Sequence, residues 1–196
     1  MSLADEAELA VWYRQAGATG GWFELDRTWS IGDRTGAGVG TVFVDGDLFA
    51  APDYWIRDAA GSPVLGLTHA AGVIQRPVHR IVWADGNPVG VFQEAAVQWQ
   101  DRVIGKWKVD ARREGTSSVF GGAWLWAADD TPVAEVTDVD AGPQGAYFAL
   151  RRVAAEVDEA LRWSTVAFVL VAAEYVRRVE AEAAAARRRR RNRRFD

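Results

Sequence analysis

The hydrophobic pattern of the chain changes near Gly145. From Gly20 to Gly145, short apolar or aromatic runs are interrupted by Gly, Pro, Asp and Asn, which is typical of strands joined by turns. Residues 146–196 contain no Gly or Pro and are rich in Ala, Glu and Arg, which favours a helix after one further strand. The pattern therefore predicts a β region followed by a helical C-terminus.

Three segments within the β region share one plan. Each has an aromatic or β-branched run, a turn of small and acidic residues, and then Pro-Val at the start of a second run. Gly in such a turn supplies a positive φ, and Pro is tolerated where the returning strand begins, so each segment is predicted to be a β-hairpin. A looser fourth candidate is VFVDGDLF at 42–49, and the unequal spacing argues against a solenoid. The segments are YWIRDAAGSPVLGLT (54–68), RIVWADGNPVGVFQE (80–94) and AWLWAADDTPVAEVT (123–137).

Two helices are predicted outside the hairpins. Residues 5–16 have acids in the first turn and helically spaced Leu9, Trp12 and Tyr13, which indicates a short N-terminal helix. The second helix covers about 157–180, and its centre, WSTVAFVLVAA at 163–173, has no ionisable residue on any face. That centre spans about 17 Å, whereas a bilayer core needs about 30 Å. Burial inside the protein is therefore the preferred interpretation, ahead of a membrane span or a strand at 166–171.

The hairpins and the apolar helix together resemble a known family. A sheet of hairpins can close around one apolar helix, which removes the sheet edges and hides the helix. DAAGSPV (58–64) and the ending AYFALRRVAAEVDEALRWSTVAFVLVAAEYV (146–176) resemble the tubby C-terminal-like superfamily, which includes phospholipid scramblases and LURP-one-related proteins. The resemblance implies a mainly β fold, a closed antiparallel barrel of about twelve strands wrapped around the buried C-terminal helix.

The resulting domain organisation has three parts. An N-terminal helical segment covers 1–19, the barrel with its central helix covers 20–180, and an Arg-rich tail covers 181–196. Seven Arg and one Asp give +6 to the last ten residues, so with a net charge of −4 the remaining chain carries −10. Such a basic tail can attract phosphates of nucleic acid or anionic lipid, or can simply be a solvated end. Its arginines are Arg187, Arg188, Arg189, Arg190, Arg191, Arg193 and Arg194.

Composition narrows the class of protein. With 49% apolar residues and ten Trp, the chain should bury a core. The absence of Cys excludes disulfides, thiolate metal ligands and redox cysteines. The N-terminus is acidic where a secretory signal is basic and then apolar, so we expect a cytoplasmic protein without a transmembrane span.

Basic residues on predicted strands are the candidate ligand-binding residues. In VIGKWKV (103–109), alternation places Val103, Trp107 and Val109 on one face and Ile104, Lys106 and Lys108 on the other. Two lysines at i and i+2, with Arg102 nearby, suit a multiply charged anionic headgroup, although a solvated outer face is the alternative. The residues predicted to bind such a headgroup are Arg102, Lys106, Lys108, Arg76 and Arg80.

Motifs for catalysis, metals or cofactors are not recognisable. The two histidines, His69 and His79, lack a HExxH spacing, and no Gly-x-Ser-x-Gly elbow is present. The acidic triplets DGD (45–47) and DVD (138–140) do not continue into an EF-hand loop. GDRTGAGVG (32–40) lacks the Lys-Ser/Thr of a phosphate loop and is interpreted as an ordinary loop. No catalytic residue, metal or cofactor is predicted.

The function expected from these features is binding. The resemblance to the tubby-like superfamily implies that basic side chains on neighbouring strands recognise membrane phosphoinositides. We therefore expect a non-enzymatic domain that binds anionic phospholipid headgroups or a protein partner at its surface. Such a protein would be cytoplasmic and could attach peripherally to a membrane. The alternatives are nucleic-acid binding through the Arg-rich tail and an enzyme with a carboxylate-based site formed only in the fold.

Overall fold

A computed structural model describes residues 3–15, 28–45, 53–69, 78–111 and 120–192 of the protein. Twelve antiparallel strands form a closed barrel, and a C-terminal helix, α1 (Glu159–Asn192), follows the last strand. The predicted fold class is thereby confirmed. The strands are β1 (Glu8–Gln15), β2 (Thr28–Asp33), β3 (Gly38–Asp45), β4 (Asp53–Asp58), β5 (Pro63–His69), β6 (His79–Trp83), β7 (Pro88–Gln93), β8 (Ala96–Trp99), β9 (Arg102–Ala111), β10 (Phe120–Ala127), β11 (Pro132–Asp140) and β12 (Gly145–Arg152).

The barrel closes because its first strand pairs with its last. Every strand pairs with its neighbours in sequence, and β1 lies between β12 and β2, with Leu9 opposite Leu150 and Asp33. A closed sheet leaves no free row of backbone N–H and C=O groups, which removes the usual route to edge-to-edge aggregation. The described sheet is therefore complete without a partner chain.

The helix predicted for residues 5–16 is wrong, and only Asp5 of that segment belongs to a helical turn. Leu3–Asp5 is a 3-10 helix, and residues 8–15 form β1 instead of a helix. Leu9, Val11 and Tyr13 are buried in the core, so the side chains that point inward recur with the period of a strand. Pairing on both sides to close the barrel outweighs the weak helical preference of this segment. The barrel accordingly begins at residue 8 and not at residue 20.

The hairpin predictions are confirmed, and one more hairpin is found. The three segments form β4–β5, β6–β7 and β10–β11. The stretch 32–40, interpreted as an ordinary loop, is the equivalent β2–β3 hairpin. For the looser candidate at 42–49, β3 and β4 do pair, but residues 46–49 lie outside the described residues.

All four of these hairpins use one turn geometry. The N–H of Trp83 donates to the Asn87 carbonyl at 2.9 Å, and the N–H of Gly86 donates back to the Trp83 carbonyl at 2.8 Å. The residue equivalent to Gly86 has a positive φ in every copy, as a three-residue hairpin loop requires. Those residues are Gly36 (84°), Gly61 (81°), Gly86 (84°) and Asp130 (70°).

Helix α1 supplies the centre of the core. Residues 164–174 are all buried, which confirms the prediction of a helix enclosed by protein. Phe168 stacks on Phe92 of β7 at 5.9 Å between ring centroids and meets the edge of Trp107 at 6.2 Å. The helix continues to Asn192, beyond the predicted end at 180, because no Gly or Pro interrupts the Ala-rich sequence. Among the described residues, no helix has an apolar stretch long enough to cross a membrane.

The two ends of the barrel differ. At the end here called the turn end, the four short hairpins reverse the chain and α1 begins after β12. At the opposite end, here called the loop end, strands finish at Gln15, Asp45, His69, Gln93, Ala111 and Asp140. Because α1 enters at the turn end and its buried part is followed by residues 175–192, the helix leaves the barrel at the loop end. About 27 Å of helix follows the buried part at 1.5 Å per residue.

Candidate functional site

The predicted lysine pair lies on the outside of the barrel, beside two tryptophans. Lys106 and Lys108 of β9 are exposed, and in the β9–β10 register they stand opposite Trp126 and Trp124. The two indole rings stack with centroids 6.3 Å apart and planes 26° apart. These four residues form what we call the aromatic–basic face. The alternation in the sequence indicated the lysines, but no sequence pattern placed Trp124 and Trp126 beside them.

Acidic side chains neighbour both lysines. The Lys106 ammonium contacts the Asp130 carboxylate, and Lys108 Nζ lies 2.6 Å from Asp110 Oδ1. The lysine side chains remain 53% and 66% exposed, so solvent weakens both ion pairs. Ion pairs of this kind contribute about 0–1 kcal/mol, and a multiply charged ligand can therefore replace either carboxylate at little cost.

The alternation predicted for the start of β9 is wrong at Val103 and Ile104. Val103 is 60% exposed, whereas Ile104 packs against the core. The β8–β9 register shifts there, with Val97 opposite Gly105 and Gln98 opposite Val103, which leaves Ile104 as the extra residue of a bulge. Beyond the bulge the alternation holds, and Trp107 packs inward as predicted.

The remaining predicted basic residues are not brought to the aromatic–basic face as a group. Arg102 is exposed at the start of β9, close to the lysines along the chain. Arg80 is exposed on β6, and β7 and β8 separate that strand from β9, a distance of about 14 Å at the usual strand spacing. Arg76 lies outside the described residues. In the tail, residues 187–191 are part of helix α1, and Arg193 and Arg194 lie outside the described residues.

The structure brings together both histidines, which sequence reasoning had set aside. His69 ends β5 and His79 begins β6, so the rings meet at the loop end with Nε2 of His69 3.1 Å from Nδ1 of His79. One ring donates and the other accepts, since a neutral imidazole has one of each. Asp53 Oδ1 accepts the backbone N–H of His69 at 3.2 Å and lies 3.8 Å from its Nδ1. The sequence signal for this pairing was that the two histidines lie at the adjoining ends of two consecutive strands.

Two further polar contacts lie at the loop end. The Tyr54 hydroxyl donates to Glu174 Oε2 of α1 at 2.8 Å, in the interior. The Tyr13 hydroxyl donates to Asp138 Oδ1 at 2.8 Å, which gives the first acid of the DVD triplet a structural contact. In the described ranges, no group of three His, Asp or Glu side chains is arranged to hold a metal ion. Of these contacts, the Tyr54–Glu174 bond joins the buried part of α1 to the sheet.

Comparison with known proteins supports the fold and leaves the activity open. No protein-family profile matches the sequence. No curated protein matches it either. The X-ray structure of the Arabidopsis thaliana protein AT5G01750 is similar, with a TM-score of 0.50 and 13% identity over 86% of this chain and 94% of that chain. At this identity the likeness shows a shared fold alone, a fold that agrees with the barrel and central helix implied by the tubby-like resemblance.

Proposed function

We propose that this chain is a non-enzymatic, tubby-like domain that binds anionic phospholipid surfaces, as a cytoplasmic protein attached peripherally to the membrane. One observation carries the proposal: on the outer face of the sheet, two exposed lysines of β9 stand opposite a stacked pair of tryptophans of β10. Because α1 fills the barrel interior with side chains such as Phe168 and Val169, binding is expected on the outside.

The aromatic–basic face has the chemistry of a membrane interface. Trp side chains concentrate at the headgroup level, where the ring is half in an apolar environment and its N–H remains hydrated. Each Lys near an anionic leaflet contributes about 1 kcal/mol. Trp124 and Trp126 are half-buried and the lysines exposed, so both types of group can reach one membrane plane.

The C-terminal part of α1 can strengthen this attraction. Residues 187–191 are five consecutive arginines on a helix that continues beyond the buried segment. Attachment through two weak elements on one chain is stronger than through either alone, provided that both reach the same surface. We therefore assign the tail an additive role and the aromatic–basic face the specific one.

Vesicle co-sedimentation tests the proposal directly. Full-length protein is mixed with neutral phosphatidylcholine vesicles or with vesicles that also contain phosphatidylserine or a phosphoinositide. Replacing Lys106 and Lys108 together by Gln should weaken binding to the anionic vesicles about 30-fold, from roughly 2 kcal/mol of lost attraction. Arg151→Gln is the matched control, because Arg151 is an exposed base on β12 that pairs with Glu135 at 2.6 Å.

A gain of affinity is expected from one further variant. Asp130→Asn removes the carboxylate that neutralises Lys106 and should tighten binding to anionic vesicles severalfold. Absence of anionic-vesicle binding by the full-length chain, or equal binding by the double Gln variant, would overturn the proposal.

A second candidate function, nucleic-acid binding, is favoured by the helical placement of the arginines. A basic helix can enter the major groove, and neutralised phosphates release counterions, so binding should weaken steeply with salt. Truncation after Ala186 should abolish it, whereas the Lys106/Lys108 double variant should not. The opposite pattern on duplex DNA would exclude this candidate.

A further inference from the structure

A cleft of about 420 Å³ lies at the turn end, between the N-terminal residues and the chain that leads into α1. It is lined by Ala4 and Asp5 on one side and by Val157 and Arg162 on the other, and the Arg152 side chain forms part of its wall. This volume is typical of small-molecule sites, which start at about 300 Å³. The cleft is separate from the aromatic–basic face, because no residue of that face lines it.

Arg152 is incompletely satisfied. Its Nε donates to Thr165 Oγ1 at 2.9 Å and its Nη2 donates to the Leu3 carbonyl at 3.3 Å. Its Nη1 is buried and has no hydrogen-bond acceptor. Within the described part of the chain, no carboxylate lies within ion-pair distance of this guanidinium. Burial lowers the pKa of Arg152 to about 10, so the group is still charged at neutral pH.

A structural role accounts for only part of this arrangement. The bonds to Leu3 and Thr165 tie the N-terminal 3-10 turn to α1, which explains Nε and Nη2. They do not explain why a charged donor remains buried without an acceptor, an arrangement that destabilises a fold by about 1–3 kcal/mol. Asp5 and Glu6 attract Arg152 only at longer range, and Asp5 Oδ1 is 3.3 Å from Arg162 Nη1 instead.

We propose that this cleft binds a small oxyanion, the carboxylate or phosphate group of a compact organic molecule, between Arg152 and Arg162. Guanidinium groups suit both anions, because their planar donors match two oxygens at once. The anion replaces Asp5 at Arg162, an exchange that costs little because that pair is about half exposed on both sides. The flanking Ala4 and Val157 favour an apolar body beside the charged group.

Titration calorimetry and thermal unfolding test this assignment. The probes are inorganic phosphate, glycerol 3-phosphate and phenylacetate, and each is compared with chloride at the same ionic strength. The wild-type chain should bind at least one probe saturably and show a higher Tm. Phosphatidate-containing vesicles form a separate arm, and binding to those vesicles without binding to the soluble probes would overturn the proposal of a small ligand.

Matched variants assign any binding to the cleft. Arg152→Met keeps the unbranched apolar stem of the side chain, removes the guanidinium and should weaken binding at least tenfold, while Arg151→Met, on the exposed face of the same strand, should leave it unchanged. Arg162→Gln provides a second loss at an exposed position if the Met variant fails to fold. Asp5→Asn frees Arg162 and should tighten binding severalfold. Absence of saturable binding, or binding unaffected by both Arg152→Met and Arg162→Gln, would overturn the inference.

Discussion

The hairpin turns at one end of the barrel and the tyrosine–carboxylate contacts at the other are interactions of different range. At the turn end, each hairpin is closed by hydrogen bonds among residues four or fewer apart, and carboxylates such as Asp33, Asp58 and Asp85 accept N–H groups of their own turns. At the loop end, Tyr54 contacts Glu174 across 120 residues and Tyr13 contacts Asp138 across 125. The four hairpin turns follow from local sequence, whereas these two contacts at the loop end form only once the barrel has closed.

Helix α1 connects these two ends. At the turn end, Trp163 meets the ring of Trp83 edge-on at 5.6 Å, and Trp83 meets Trp99 at 5.7 Å. At the loop end, Glu174 accepts the Tyr54 hydroxyl. The helix is therefore both the core of the barrel and the element through which the ends can influence each other.

The largest effect is expected in the middle of α1, where a change should weaken both ends together. Phe168→Ala removes a ring that is completely buried and stacked on Phe92, which should lower the free energy of unfolding by about 3–5 kcal/mol. Urea unfolding followed by Trp fluorescence measures this loss. Ala185→Ser, at an exposed position of the same helix, should change stability by less than about 0.5 kcal/mol. Comparable losses for both variants would show that α1 is not the core.

An intermediate effect is expected at the loop end. Tyr54→Phe removes the hydroxyl that donates to buried Glu174 and should cost about 1.5–3 kcal/mol, because the acceptor is a carboxylate in the interior. Tyr147→Phe is the control, since Tyr147 packs on Trp12 and is half-buried on the barrel surface. Chemical denaturation of both variants measures the difference. If the two substitutions had equal effects, the long-range contact would not stabilise this end.

A smaller effect is expected at the turn end. Gly86 has a φ of 84° with open space around it, so Gly86→Ala tests backbone strain alone and should cost about 1–2 kcal/mol. Gly38→Ala, also in open space but without a positive φ, should be close to neutral. Thermal unfolding of the pair measures the difference. Equal stability of the two variants would contradict the turn geometry given for this end.

The smallest effect concerns the pH dependence of the turns. Hydrogen bonds from the backbone and side chain of Asn87 lower the pKa of Asp85 below its ordinary value. A lowered folded-state pKa gives stability that is fully present above the unfolded pKa, about 3.9, and is lost as the pH falls through the folded value. The stability gap between the wild type and Asp85→Ala should therefore narrow below about pH 4. A gap that stays constant down to pH 2 would contradict this role of the carboxylate.

The same contrast explains how much could be predicted from the sequence. The hairpins and the apolar helix were predictable because Gly86, Pro88 and the uncharged run around Phe168 act locally. The strand at residues 8–15 was missed because its partners, β2 and β12, are decided by closure of the sheet.

The candidate site was predictable only in part, for the same reason. The alternation in β9 placed Lys106 and Lys108 on one face, but the stacked tryptophans come from the β9–β10 register. The acid that contacts Lys106 is Asp130, which lies in the turn after β10. Likewise, the cleft at Arg152 is lined by residues from both ends of the chain, which no local pattern brings together.

Native-state hydrogen exchange of α1 tests most directly whether this helix is the core that joins the two ends. Amides of residues 164–173 should exchange only through global unfolding, with protection that matches the free energy measured in urea. Amides around Ala185, an exposed position, should exchange much faster in the same sample. Exchange of 164–173 as fast as that around Ala185 would contradict a barrel wrapped around its own helix.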